Sequence, residues 1–169
     1  MIPLPPTLPP IPSEAAAARP AGNGPVAGLD PGRAKCGLVL SDSSRRSIIR
    51  ALVLPPEQAF DVLLDWQRRQ GMKAVVIGDG TGGRPWHDRL AALVPLVVLN
   101  EHGTTLAARR RYWELFPPRG WRRLVPEGLR LPPRDWDDVV AQLLLERWLG
   151  RRLDRRGDAA DGLRTEPAP

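Results

Sequence analysis

Three carboxylates, Asp30, Glu101 and Asp137, are the residues of this chain whose type and position could do chemistry. Asp30 closes a short apolar run, Val26–Leu29, and is followed at once by Pro31-Gly32, a pair that specifies a turn. An acid so placed points out of a sheet edge, and a lone carboxylate taken out of water is costly unless it is paired or bound to a metal. Glu101 follows a second apolar run, Leu96–Leu99, and Asp137 stands between Asp135 and Asp138 at the head of the last apolar stretch, where a helix dipole tolerates acids. Carboxylates brought together repel one another, and hard divalent cations relieve that repulsion through oxygen coordination. Mg²⁺ or Mn²⁺ is the implied cofactor. Two such ions about 3.5–4 Å apart activate a water and stabilise the leaving oxygen of a phosphodiester during in-line attack.

Positioning these acids takes a sheet whose strands end on one rim. Val26–Leu29, Cys36–Ser41 and Ser47–Leu54 are separated by tight turns and predict an antiparallel meander. Pro55-Pro56 ends it and opens a helix over Glu57–Gln70, with Phe60, Leu63, Leu64 and Gln67 at helical spacing and Gly71 as its C-cap. Ala74–Ile77 and Leu96–Leu99 read as buried strands, parallel neighbours joined by a right-handed crossover through a short helix around Trp86–Leu93. A helix from Thr104 or Thr105 toward Phe116, with threonine as N-cap, a proline- and glycine-punctuated loop over Pro117–Arg134, and a closing helix over Trp136–Leu149 complete the order. The expectation is an α/β fold with a mixed five-stranded sheet, three antiparallel strands and then two parallel ones, flanked by helices. Parallel strands gather ligands at their carboxyl ends, which puts Asp30 and Glu101 on one rim.

The ends are different in kind. Residues 1–25 are rich in proline and alanine and predict a disordered arm, residues 150–169 a disordered tail, leaving 26–149 as one folded domain. No apolar run reaches the roughly 20 residues of a membrane span, and no signal peptide is expected in the proline-rich start. The single cysteine, Cys36, excludes an internal disulfide and a multi-thiolate zinc site, and reads as a small buried hydrophobe in a cytoplasmic protein. The net charge is +6, carried almost entirely by arginine, whose planar fork suits bidentate phosphate contact.

The segments LDPGRAKCGLVLSD at Leu29–Asp42, VVIGDGT at Val75–Thr81, LNEHGTTLAARRR at Leu99–Arg111 and DDVVAQLLLERWL at Asp137–Leu149 together resemble the YqgF/RuvX family of RuvC-like nucleases. The four blocks keep the family's order and cover nearly all of residues 26–149. The resemblance implies a ribonuclease H-like fold and a metal-dependent endonuclease of structured nucleic acid, either a Holliday junction resolvase or a pre-16S ribosomal RNA processing nuclease. It carries the metal-binding acids onto Asp30, Glu101 and Asp137, with Asp138 as the neighbouring alternative, otherwise a solvated first-turn acid. Where the family commonly reads Asp-Glu-Arg, this chain reads Asn100-Glu101-His102, and the glycine-rich loop at Gly78-Asp79-Gly80-Thr81 is short. That departure motivates the alternative, a catalytically inactive nucleic-acid-binding module of the same fold.

Around the acids, Arg33 and Lys35 flank the Asp30 turn and are placed for phosphate contact, as are His102 and, on the helix beyond it, Arg109 and Arg110. Arg111 completes that arginine run, whose members spread across helix faces so that at most two of them meet one phosphate track. Trp66, Trp113 and Trp148 sit on predicted helices as core residues, which leaves Trp121 in the basic loop to stack on an unpaired base. His87 reads as a surface residue. The expected partner is precursor ribosomal RNA or branched DNA, and a resolvase that cuts two symmetric strands would be a homodimer.

Overall fold

The computed structural model describes residues 20–80 and 82–156. Its meander is built as the turn residues require: β1 (Ala27–Asp30), β2 (Cys36–Ser41) and β3 (Ser47–Leu54) pair antiparallel in sequence order. Asp42 closes the second turn by accepting the backbone N–H groups of Arg46 and Ser47, at 2.8 and 3.0 Å. α1 (Pro56–Gln70) starts with proline in its first turn and stops at Gly71 in the left-handed conformation. β4 (Val75–Gly78), α2 (Arg84–Ala91) and β5 (Leu96–Leu99) follow, with β4 parallel to both β1 and β5. α3 (Thr104–Leu115), two 3-10 turns at Gly120–Leu124 and Glu127–Leu129, and α4 (Asp137–Leu149) lead to a last short strand, β6 (Asp154–Arg155).

The sheet runs β5-β4-β1-β2-β3-β6. Five of its strands have the directions expected, three antiparallel and then two parallel, and the sixth corrects the expected count. β6 joins the free edge of β3 in parallel, Ser47 opposite Asp154, and the Arg156 N–H donates to Ile48 O at 2.9 Å. The expected boundaries move outward with it. Leu153 is fully buried, so the chain beyond Gly150 is part of the fold as far as it is described. At the other end the buried guanidinium of Arg45 donates to the carbonyls of Pro20, Gly22 and Gly24, tying residues 20–25 to the β2–β3 turn. The rest of the expected arm and tail, 1–19 and 157–169, lies outside the described residues.

The period-2 pattern of the strands sorts their side chains onto two faces. Leu29, Leu38, Leu40, Val75 and Ile77 pack against Leu63 and Trp66 of α1 and Trp86 and Leu90 of α2. Val39, Ile48, Val76 and Val97 pack against Leu144, Leu145 and Trp148 of α4. α3 then lies over α4 through Tyr112 and Trp113 against Val139, Val140 and Leu143. α4 is therefore enclosed from both sides and is buried nearly all round. Trp66, Trp113 and Trp148 are core residues as expected, and Cys36 is buried in β2. No helix of the described residues is long and apolar enough to cross a membrane.

Candidate functional site

The position of Asp137 is set by a glycine two strands away. Gly37 of β2 pairs in register with Asp30, and a Cβ on Gly37 would overlap the Asp137 carbonyl oxygen. Glycine at that point lets the first turn of α4 rest on the β2 backbone, which brings Asp137 beside the end of β1. Glu101 is positioned by the opposite strand end. Its N–H donates to Asp79 Oδ1 at 2.9 Å, and its side chain folds back over β4, where a Cβ on Gly78 would overlap Oε1. That oxygen is buried and has no hydrogen-bond partner.

Asp30, Glu101 and Asp137 line one cleft of about 250 Å³, with Thr104, Thr105, Trp136 and Val140 as its other walls. Its electrostatics follow from burial and like charge. Burial first, then the Glu101 and Asp137 carboxylates, push Asp30 up to about 7. Burial raises Glu101, with Asp79 adding to the shift and a hydrogen bond from the Gly80 backbone opposing it. Burial raises Asp137 as well, reinforced by Asp135 and Asp138 and opposed by its own backbone N–H and by Lys35. A cleft that disfavours carboxylate charge at three points is one that a cation would stabilise. The donors are all oxygen, and one is orphaned, so the residues suit a hard divalent ion in kind. Among the described residues no three Asp, Glu, His or Cys side chains converge on one ion-sized point; the acids share the walls of the cleft and not one coordination sphere.

Asp138, the alternative acid, does not face the cleft. It is fully buried, which corrects its reading as a solvated first-turn residue, and it is held by Arg134 at 2.8 Å and Arg155 at 2.7 Å. The two adjacent acids thus point into different surroundings, as their 100° separation on a helix requires. Arg111 also leaves the phosphate candidates: it is buried and paired with Glu146 at 2.8 Å.

The other candidates fall outside the acid cleft. Arg33 lines a separate cleft of about 290 Å³ with Pro56, Glu57, Trp86 and Arg89. Lys35 is paired with Asp135 at the surface. His102 is exposed and its backbone N–H donates to Asn100 Oδ1 at 2.7 Å. Arg109 and Arg110 line a groove on the outer side of α3, and Trp121 stands exposed in the first 3-10 turn. His87 is half-buried on α2, with Nε2 lacking a partner.

Sequence reasoning gave no role to Gly37 or Gly78, although a glycine inside an apolar strand is the recognised signal of close backbone approach. It also placed Thr104 or Thr105 as the N-cap. The N-cap is Gly103, in the left-handed region at φ 72°, and the Thr104 hydroxyl instead accepts a hydrogen bond from Arg147 at 2.7 Å across to α4. That contact joins a wall of the cleft to the far end of the helix that carries Asp137.

No family model and no curated protein sequence matches the chain. Among solved structures, T. thermophilus RuvC in complex with a Holliday junction substrate is similar, at 18% identity and a TM-score of 0.46, over 74% of this chain and 93% of that one. A likeness of that size has no bearing on which residues act in this chain or on what.

Proposed function

We propose that this chain is a metal-dependent endonuclease that hydrolyses phosphodiester bonds of structured nucleic acid, with precursor 16S ribosomal RNA or a four-way DNA junction as substrate. The observation that carries the reading is the meeting of Asp30, Glu101 and Asp137, from three separate elements, in one cleft where the Glu101 and Asp137 carboxylates add to the burial that raises Asp30. Asp30, Glu101 and Asp137 would hold Mg²⁺ or Mn²⁺, which supplies charge neutralisation at the scissile phosphate and a water acidic enough to attack it. The chain's own part is preorganisation. Gly37 and Gly78 seat two of the acids against strand backbone, and the β1 and β5 ends fix the other coordinates. Thr105, exposed in the first turn of α3, lines the same cleft, where its hydroxyl can bind a phosphate oxygen. Arg33 and Lys35 lie beyond the Asp30 turn, on the path a flanking strand would take.

The test is cleavage of a labelled four-way junction and of a precursor rRNA fragment with Mg²⁺ and with Mn²⁺, by the wild-type protein and by Asp30→Asn. The expected result is cleavage by the wild type, lost in the variant while substrate binding persists. Cleavage retained by Asp30→Asn rules out the assignment.

A second reading, a binding module without turnover, is favoured by the absence of a single converged site and by His102 beside Glu101. Calorimetric titration separates the two. No heat of Mg²⁺ or Mn²⁺ binding at millimolar concentration, with nucleic-acid affinity intact, selects the module.

A further inference from the structure

The outer side of α3 and the segment after it combine two properties that rarely share a surface. Apolar side chains stand in solvent there: Trp121 is 68% exposed, and Leu106, Leu124, Leu129 and Leu131 are as open or nearly so. Contiguous exposed apolar surface marks an interaction site. The same surface is strongly cationic. Residues 116–133 carry four arginines and one acid, Glu127, and α3 adds Arg109 and Arg110.

These arginines are held without being neutralised. Arg109 donates to the Gly128 carbonyl, Arg123 to that of Pro118 at 3.2 Å, and Arg130 to those of Val125 and Arg123. Carbonyl partners orient a guanidinium but leave its charge. Among the described residues, Arg110 alone of the cations named in this surface has an acid nearby, Glu127 at 3.9 Å, and that pair is exposed. Arg122 covers one side of the Trp121 ring at 5.2 Å and leaves the rest of it open. A partner that is only apolar would strand this charge, and a duplex would offer phosphates while hiding its base faces. An unpaired polynucleotide strand presents both flat apolar bases and regularly spaced negative charge.

The same helix borders the acid cleft. Thr105 lines that cleft, and the next residue, Leu106, lines a groove of about 230 Å³ with Arg109, Arg110, Trp113, Glu127 and Gly128. Positions 106, 109, 110 and 113 fall on one helical face.

We propose that α3 and the 3-10 segment after it form a platform for an unpaired strand, with a base stacked on Trp121 and phosphates on the loop arginines. The platform deepens the nuclease reading by naming the substrate's character, a junction or precursor with a single-stranded flank leaving the acid cleft over α3.

The experiment is fluorescence anisotropy in EDTA, with labelled oligothymidylate, oligouridylate and a blunt duplex as probes. Wild-type protein binds the unpaired probes more tightly than the duplex. Trp121→Ala weakens unpaired binding about tenfold and leaves duplex binding where it was, Trp121→Phe restores most of the loss, and paired Arg122→Gln and Arg123→Gln substitutions flatten the salt dependence. Both unpaired probes are expected to bind, since the platform reads base faces and phosphates that they share. Equal affinity for unpaired and duplex probes, an equal loss on both in Trp121→Ala, or a Trp121-dependent self-association seen by sedimentation overturns the proposal. The readout needs no metal. A protein that binds this way but never cleaves disproves the nuclease reading alone, and one that cleaves without using Trp121 disproves the platform alone.

Discussion

Asp30 is folded into a place that opposes its own ionisation. Its pKa of about 7 stands above the ordinary 3.8, so the folded chain holds that proton more tightly than the unfolded chain does. The sign follows directly: the folded state gains least from Asp30 once it is ionised, so stability is greatest below about pH 4 and falls as pH rises through about 7. Glu101 and Asp137 are shifted in the same direction and add to the slope. In urea titrations of the metal-free protein, wild-type stability therefore declines across that window, and Asp30→Asn, which cannot ionise, declines less and is the more stable of the two near pH 8. Millimolar Mg²⁺ should lessen the decline in the wild type and do much less for the variant. Parallel pH profiles for the two proteins would show that the fold does not hold the Asp30 proton. Asp138, one residue from Asp137, shows the other fate of a buried acid: two arginines compensate it fully, and it serves the fold.

At the scale of elements, the seat of α4 on β2 decides whether the acids meet. Gly37→Ala places a methyl group where the Asp137 carbonyl now lies, so the helix start must lift away. Overpacking of this kind costs about 1–3 kcal/mol, and here it also moves Asp137 from Asp30. Gly37→Ala is expected to lower the thermal midpoint and to abolish cleavage even at temperatures where circular dichroism shows it folded. Gly128→Ala is the control, since a Cβ there meets nothing and should change neither. The meander, the two parallel strands and the helices were legible in the sequence because each carries a local signal: Pro31-Gly32, Pro55-Pro56, Gly71, and apolar runs bounded by them. The meeting of Asp30 with Glu101 followed from strand direction alone. What the strands of sequence did not disclose was contact without periodicity, such as Gly37 under Asp137 or Thr104 under Arg147, where the partner lies across the fold and neither residue marks it.

Across the whole molecule, the chain beyond α4 is held by a polar ladder that replaces apolar packing. Asp138, Gln142 and Glu146 recur every four residues on α4, and all three are fully buried. Arg155 joins Asp138 to Gln142 Oε1, Gln142 donates to Glu146 and to Leu153 O, and Glu146 takes both Arg111 and the Leu153 N–H. The polar stripe was visible in DDVVAQLLLERWL, but its partners lie in RRLDRR, a run whose composition reads as a frayed tail. A two-residue strand of Asp and Arg has no alternation to betray it. The ladder makes the tail necessary to the domain: without residues 151–156, Asp138 loses one of its two arginines, and Gln142 and Glu146 are left buried with fewer partners. Removing one side of a buried ion pair costs about 3–5 kcal/mol. A chain ending at Gly150 should therefore melt well below one ending at Arg156, and Glu146→Leu in the shorter chain should recover part of the difference, because the apolar side chain needs no partner. Equal melting of the two truncated chains would mean that β6 and the ladder contribute nothing to the stability of the sheet they border.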